Sequence, residues 1–320
     1  MADLPRLDVV IGNNFGHLPM FIGAEKGFFA KHGVDAKMLV VDTGTDMVNA
    51  MHDGRAQIGD MSTTTYLKAV HAGEPFKVIG LIMNDATRDN CDDPLAIVTR
   101  KGRGIEAGKL SDLKGKKIGL ARGSDLRRIF QDGAAPRQDE IRRAHHREHL
   151  VAIRPCAGAE AEGKVDAVVS WEPYVTQVLT QVPDSYRSFA AAITCPMSWW
   201  RPRTVRRSRP SPQLAKAIAA GLAQSSHFTR NNRDEAVEIF AKWVPGTDVA
   251  IGKKAVRHIS FDPRLSPNVL RAFENAEDEV LMNTLKGAPR PDVPSLFRPQ
   301  FMAEVQKEHP EYFADLPPLK

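Results

Sequence analysis

The stretch Lys114-Gly115-Lys116-Lys117-Ile118-Gly119-Leu120-Ala121-Arg122-Gly123-Ser124 reads as a basic turn, a buried strand and a small polar loop opening a helix. It is answered by Val165-Asp166-Ala167-Val168-Val169-Ser170-Trp171-Glu172-Pro173-Tyr174, a second buried strand that ends in a polar and aromatic loop. Two strand ends of this kind facing each other make a crevice for a small ligand, where open parallel sheets bind theirs. Neither loop supplies a nucleophile with a base beside it. This part of the chain reads as a binder.

Working outward, residues 9–12 predict a strand closing on Asn13-Asn14-Phe15-Gly16-His17. Residues 18–32 predict a helix, with Met20, Phe21, Ala24, Phe28 and Phe29 at helical spacing and Gly33 as its stop. A second strand at 38–41 leads through Asp42-Thr43-Gly44-Thr45, whose Thr45 is placed to cap a helix running to His52. A third strand at 57–61 meets Ser62-Thr63-Thr64-Thr65, which opens a helix to His71, and a fourth strand covers 76–83. Strand–helix alternation at this pace predicts a parallel α/β lobe. After Asn84 a polar run ends at Pro94 and a new strand begins at 95–99, a crossover into a second lobe holding both opening motifs. Helices are predicted at 214–228, 233–243 and 268–285, followed by a tail rich in proline and aromatic residues.

A chain of 320 residues is long enough for about two domains with sizeable cores. Its 42% hydrophobic and 26% charged content is ordinary for a globular protein, and no apolar run approaches the roughly 20 residues that span a bilayer. Residues 1–6 carry neither a basic segment nor an apolar one, so the expectation is a chain without an export signal, cytoplasmic or already processed. Cys91, Cys156 and Cys195 lack metal-ligand spacing. The net charge of +5 has one source: Arg201, Arg203, Arg206, Arg207 and Arg209. Without these five the 44 basic residues fall to 39, equal to the 39 acidic ones, so no general nucleic-acid surface is expected.

Residues 18–33 (LPMFIGAEKGFFAKHG), the small-residue and acid stretch 46–60, DLKGKKIG at 112–119, the Gly123-Ser124 loop and GKVDAVVSWEP at 163–173 together form a known pattern. The chain resembles type II periplasmic substrate-binding proteins of ABC importers, in the NMT1-like branch for sulfonates, taurine, nitrate and thiamine-pyrimidine precursors. The likeness runs through the first 125 residues, 163–186 and the C-terminal helices. It implies an α/β, two-lobed clamp, each lobe a mainly parallel sheet flanked by helices, closing on a small solute. Lobe I would comprise residues 1–90 and 196–320, and lobe II residues 91–195. It also implies an extracytoplasmic monomer that works with the importer's membrane subunits and needs no cofactor.

Two stretches depart from that pattern. At 131–162 the family's amphipathic helix, strand and short helix are replaced by QDGAAPRQDEIRRAHHREHLVAIRPCAGAEAE. Reading each codon one nucleotide late permits a string with all three elements. Reading two nucleotides late from Thr194 permits an apolar return strand where CPMSWWR stands. Compensated frameshifts over 131–162 and 194–210 are one explanation; divergent surface loops are the other. A genuine lesion would strip lobe II of several buried side chains, each worth about 1.5–3 kcal/mol, against a typical domain stability of about 5–15 kcal/mol. That would leave a poorly functional paralogue.

The candidate binding residues cluster at strand ends. Asn13, Asn14 and His17 follow the first strand, where free backbone N–H groups at a helix start favour an anion. His17 has capping or plain exposure as its alternative. Ser62, Thr63 and Thr64 repeat the arrangement, one of them being the N-cap. Thr43 and Ser124 are placed in the same way, and Asn84 stands at the crossover as hinge or ligand contact. Trp171 stacks on a ligand or packs in the core, and Glu172 receives an amine or is a solvated loop carboxylate. Phe15 and Tyr66 would accommodate an aromatic body. His32, His52 and His71 read as capping or water-facing, and His145, His146 and His149 fall in the suspect frame.

Enzymes of the same fold are the competing reading. A desulfinase-like chain needs a reactive cysteine in the first strand loop, where Asn13 and Asn14 stand. Fungal thiamine-pyrimidine synthases use a pyridoxal-phosphate lysine, a histidine and a cysteine-rich iron motif. Lys68 and His71 offer the first two, but there is no cysteine cluster. A regulatory effector domain would carry a DNA-binding helix pair ahead of the first strand, and only residues 1–7 precede it here.

Overall fold

In the computed structural model, residues 4–84, 94–121, 147–151, 164–191, 194–199, 211–283 and 285–319 are described. Strands are β1 (Arg6–Gly12), β2 (Asp35–Val41), β3 (Ile58–Asp60), β4 (Lys77–Asn84), β5 (Leu95–Arg100), β6 (Lys117–Ala121), β7 (Arg147–Val151), β8 (Ala167–Trp171), β9 (Ser185–Ala191) and β10 (Thr194–Trp199). Helices are α1 (Leu18–Glu25), α2 (Phe28–Lys31), α3 (Gly44–His52), α4 (Thr63–His71), α5 (Tyr174–Gln181), α6 (Pro212–Asn231), α7 (Arg233–Trp243), α8 (Val249–Ala255), α9 (Pro267–Asn283) and α10 (Gln300–Glu308). Contacts divide the chain into two units. One holds the described residues of Met1–Asn90, Thr194–Thr247 and Ser260–Lys320; the other holds those of Cys91–Ile193 and Asp248–Ile259.

The first unit carries a five-stranded sheet in the order β2-β1-β3-β10-β4. β1 pairs in parallel with β2 and β3, and β10 runs antiparallel between β3 and β4. Alternation along β1 sends Val10 to one face, into a core cluster that also holds Met47 and Met51 of α3, Tyr66 and Leu67 of α4, and Phe273 of α9. A separate aromatic core has Phe240 of α7 edge-on to Phe15 and Phe21, with ring centres 4.9 and 5.0 Å away.

The expected helix over 18–32 is two helices. Gly27, at φ +69°, takes the left-handed conformation that glycine adopts without a Cβ penalty, and the chain turns there. Thr43, rather than Thr45, caps α3, its hydroxyl accepting from the Asp46 N–H at 3.2 Å.

Thr194–Trp199 forms a strand in the frame as it stands. Pro196 has no N–H to give the ladder, and it sits at a register shift opposite β4, the kind of irregularity where a sheet tolerates proline. The return strand implied by the resemblance is thus formed over these residues without a shifted frame. Arg147–Val151, from the other suspect stretch, pairs in parallel with β6 as an edge strand.

The second unit repeats the plan, with order β7-β6-β8-β5-β9, β6 parallel to β7 and β8, and β5 antiparallel to β8 and β9. One face of its sheet gathers Leu95, Ile97, Ile118 and Val169; the other gathers Ala96, Val98 and Val168 with Val175 and Val178 of α5. Residues 248–259, expected in the N-terminal lobe, group with this unit because α8 packs on α5.

Candidate functional site

Both strand ends expected to carry binding residues in the first unit lead into helix starts. After β1, the Asn14 side chain accepts from the Gly16 N–H at 2.9 Å and caps a single 3-10 turn, Phe15–His17, that runs on into α1. Asn13 donates from Nδ2 to Asp42 at 2.6 Å, tying the end of β1 to the loop after β2. After β3, Ser62 caps α4, accepting from the Thr65 N–H at 3.3 Å. Thr63 and Thr64 follow it in the first turn, both buried. Thr43 has its cap role and also donates to Asp46 Oδ2 at 2.6 Å.

His17 stands at the N-cap position of α1, but its side chain makes no capping hydrogen bond and is not exposed. It is buried, and its Nδ1 is hydrogen-bonded to Oδ2 of Asp60, the last residue of β3. The ring lies over Gly12: a Cβ there would stand 2.4 Å from Nε2 and 2.8 Å from Met47 Cε, so only glycine leaves room for it. Burial pushes the Asp60 carboxyl above its ordinary range, with the charge and hydrogen bond of His17 pulling the other way. The second carboxyl oxygen, Oδ1, is buried with no hydrogen-bond partner among the described residues, and so is the hydroxyl of Thr64. Asp60 is not among the sequence-based candidates, because it falls inside the strand expected over 57–61. The signal was an acid at the end of an apolar strand, two residues before a capping serine, where water has little access.

In the second unit, Ser124 lies outside the described residues. Trp171, the last residue of β8, is half-buried against Leu95, Ile118 and Val169, and its indole N–H is buried without a partner among the described residues. Glu172 is buried and fully engaged: Oε1 accepts from the Thr176 hydroxyl at 3.0 Å and pairs with Arg187, while Oε2 accepts from the Thr176 N–H at 3.0 Å. It is not a solvated loop carboxylate. Burial raises it to about 6 against the opposing charge of Arg187 and the hydrogen bonds of Thr176.

Packing engages the other candidates. Asn84 is buried, donating to the Arg264 carbonyl at 3.4 Å, and its N–H donates to Ser260 O at 3.0 Å. Phe15 and Tyr66 are wholly buried, and the Tyr66 hydroxyl donates to Phe76 O at 3.0 Å, so neither presents a ring to a ligand. His71 does not face water: Nε2 bonds the buried Glu277 of α9 at 2.6 Å. His145 and His146 lie outside the described residues. Among the described residues no group of three or more His, Cys, Asp or Glu is placed to hold a metal.

The NMT1/THI5-like family profile matches residues 14–190, more than half of the chain. The chain belongs to the NMT1/THI5-like family. Over 104 residues it is 34% identical to a 4-amino-5-hydroxymethyl-2-methylpyrimidine phosphate synthase of Uromyces fabae, covering 32% of this chain and 28% of the synthase. Over 232 residues it is 23% identical to a protein of Brucella abortus (strain 2308) named as a binding protein, covering 70% of this chain and 66% of that one. The chain therefore spans less than two thirds of either relative. Its fold is similar to that of the periplasmic aliphatic sulphonate binding protein SsuA from Escherichia coli, with a TM-score of 0.73 at 16% identity, over 93% of both chains. This is the α/β architecture of type II periplasmic binding proteins.

For this member of the NMT1/THI5-like family, a pyridoxal-phosphate site at Lys68 and His71 does not fit. Both residues lie in the C-terminal half of α4, away from the helix start at the strand ends. The imidazole is already held by Glu277.

Proposed function

We propose that the chain is the solute-binding component of an ABC import system. It captures a small anionic or aromatic solute (a sulfonate, a nitrate-like ion, a carboxylate or a pyrimidine precursor) at the carboxyl ends of its strands. The observation that carries this reading is the pair of neighbouring strands β1 and β3, each leading into a helix start, with buried polar atoms left unbonded beside α4. Asn13, Asn14, His17, Thr63 and Thr64 are the residues of the first unit that this reading assigns to the solute. The chain works outside the cytoplasm as a monomer, its partners the importer's membrane subunits, with no cofactor and no nucleic acid. Among the described residues no helix is long and apolar enough to cross a membrane.

A thermal-shift panel of sulfonates, nitrate, carboxylates and aminopyrimidines tests the reading. A true ligand at a hundred times its Kd stabilises by about 2.7 kcal/mol, a shift of several degrees. If no member moves a folded sample and no small molecule co-purifies, the proposal is abandoned. The chain is not an enzyme on this reading, so adding pyridoxal phosphate should produce no Schiff-base absorbance; a band lost in Lys68→Arg would reinstate the synthase-like alternative.

A further inference from the structure

We infer that Asp60 selects the solute, taking a group that carries N–H donors (a primary amine or the amino edge of a heterocycle) and discriminating against solutes that offer only oxyanion oxygens. The inference rests on the solute-binding reading and narrows it. Its starting point is a conflict between two features of one place. The start of α4 by itself favours negative charge. Yet Asp60, three residues before the first residue of that helix, is wholly buried at the end of a strand flanked by β1 and β10.

The hydrogen-bond inventory resolves the conflict. An ionised carboxylate only accepts, and each of its oxygens left dry without a donor is costly. His17 serves Oδ2 and leaves Oδ1 unserved. The Thr64 hydroxyl, in the first turn of α4, is also buried and without a partner among the described residues, and it accepts as readily as it donates. Met61, between Asp60 and Ser62, is apolar and buried, and among the described residues no side chain or backbone group donates to Oδ1. A sulfonate or nitrate brings more acceptors to a carboxylate oxygen; an amino group brings the donors that Oδ1 and Thr64 Oγ1 lack. The His17 bond fixes the carboxylate's orientation, which makes the preference geometric as well as electrostatic.

Matched probes separate this inference from the reading beneath it. Titration calorimetry on the full chain compares taurine with propanesulfonate, and 4-aminopyrimidine with pyrimidine. In at least one pair the amino member should bind thirtyfold or more tightly. Asp60→Asn, which keeps the shape but swaps an acceptor for a donor, should cut that preference at least tenfold. Thr64→Val gives a second variant that leaves the His17–Asp60 bond intact and should weaken the amino member tenfold. Equal affinity within both pairs, or tighter binding of the amine-free member as a protonated Asp60 would give, overturns the inference and leaves the solute-binding reading in place. An amino preference that survives both substitutions overturns the role of Asp60. If no member of the broad panel binds, both fall together.

Discussion

Gly12 and His17 lie five positions apart in the chain, yet each decides what the other can be. The imidazole reaches Asp60 only by lying over Gly12, where a Cβ would stand 2.4 Å from Nε2. Gly12→Ala should therefore push His17 off its carboxylate and leave a wholly buried acid with no partner. Breaking a buried pair in this way costs about 3–5 kcal/mol. Urea denaturation followed by circular dichroism should show a loss of that order, and His17→Ala a similar one. A Gly12→Ala loss below about 1 kcal/mol would mean that the ring finds another rotamer and the pair is not held by this contact. At this scale the sequence was half legible. The N-cap among Ser62, Thr63 and Thr64 was legible because capping chemistry is local. The pairing of His17 with Asp60 was not, since it joins the turn after β1 to the end of the neighbouring strand β3, and no spacing rule connects the two.

At the scale of elements, Glu172 shows how a residue expected to meet a ligand is consumed by local structure. Its carboxylate accepts from the Thr176 N–H and hydroxyl in the first turn of α5 and pairs with Arg187 of β9, so it fastens the end of β8 to a helix start and a strand. The folded state holds it at about 6, above the ordinary 4.5. A raised acid binds its proton more tightly folded than unfolded, so this group's contribution is fully present below pH 4.5 and is lost as pH rises through 6. A shift of that size corresponds to about 2 kcal/mol. Denaturation of the wild type and Glu172→Gln at pH 4.5 and pH 7 should show a wild-type loss of that order that the variant lacks; parallel pH profiles would rule the effect out. Element existence was largely legible from apolar spacing, with α7 read to the residue. The misreadings have local causes. Gly27 turns a periodic stretch into two helices, and β10 was discounted because proline and a missing apolar alternation hide a central strand.

At the scale of the whole molecule, strand–helix alternation announced an α/β chain with two lobes, and the two sheets share one strand order. In the C-terminal third periodicity revealed the long helices, but the bonds that tie them to the rest of the unit were not legible, because they join residues far apart in the chain. Arg230, at the end of α6, is the clearest instance. It donates to the Phe261 carbonyl at 2.6 Å, the Tyr312 carbonyl at 2.7 Å, and both oxygens of Asp315 at 2.8 Å, joining three separated segments of the first unit. Burial alone would raise the Asp315 carboxyl, but the bonds and charge of Arg230, helped by His227, outweigh it and hold the group at about 2. Arg230→Met keeps the stem's packing and removes every donor, so two carbonyls and a carboxylate lose their partner at once. The expected loss is about 3–5 kcal/mol, read as a fall in the urea midpoint. The pH dependence gives an independent check. A depressed acid contributes stability above its ordinary 3.8 that disappears as pH falls through 2. The gap between wild type and Arg230→Met should therefore narrow from pH 5 to pH 2, whereas a gap that stays constant would assign the loss to the carbonyl bonds and packing alone.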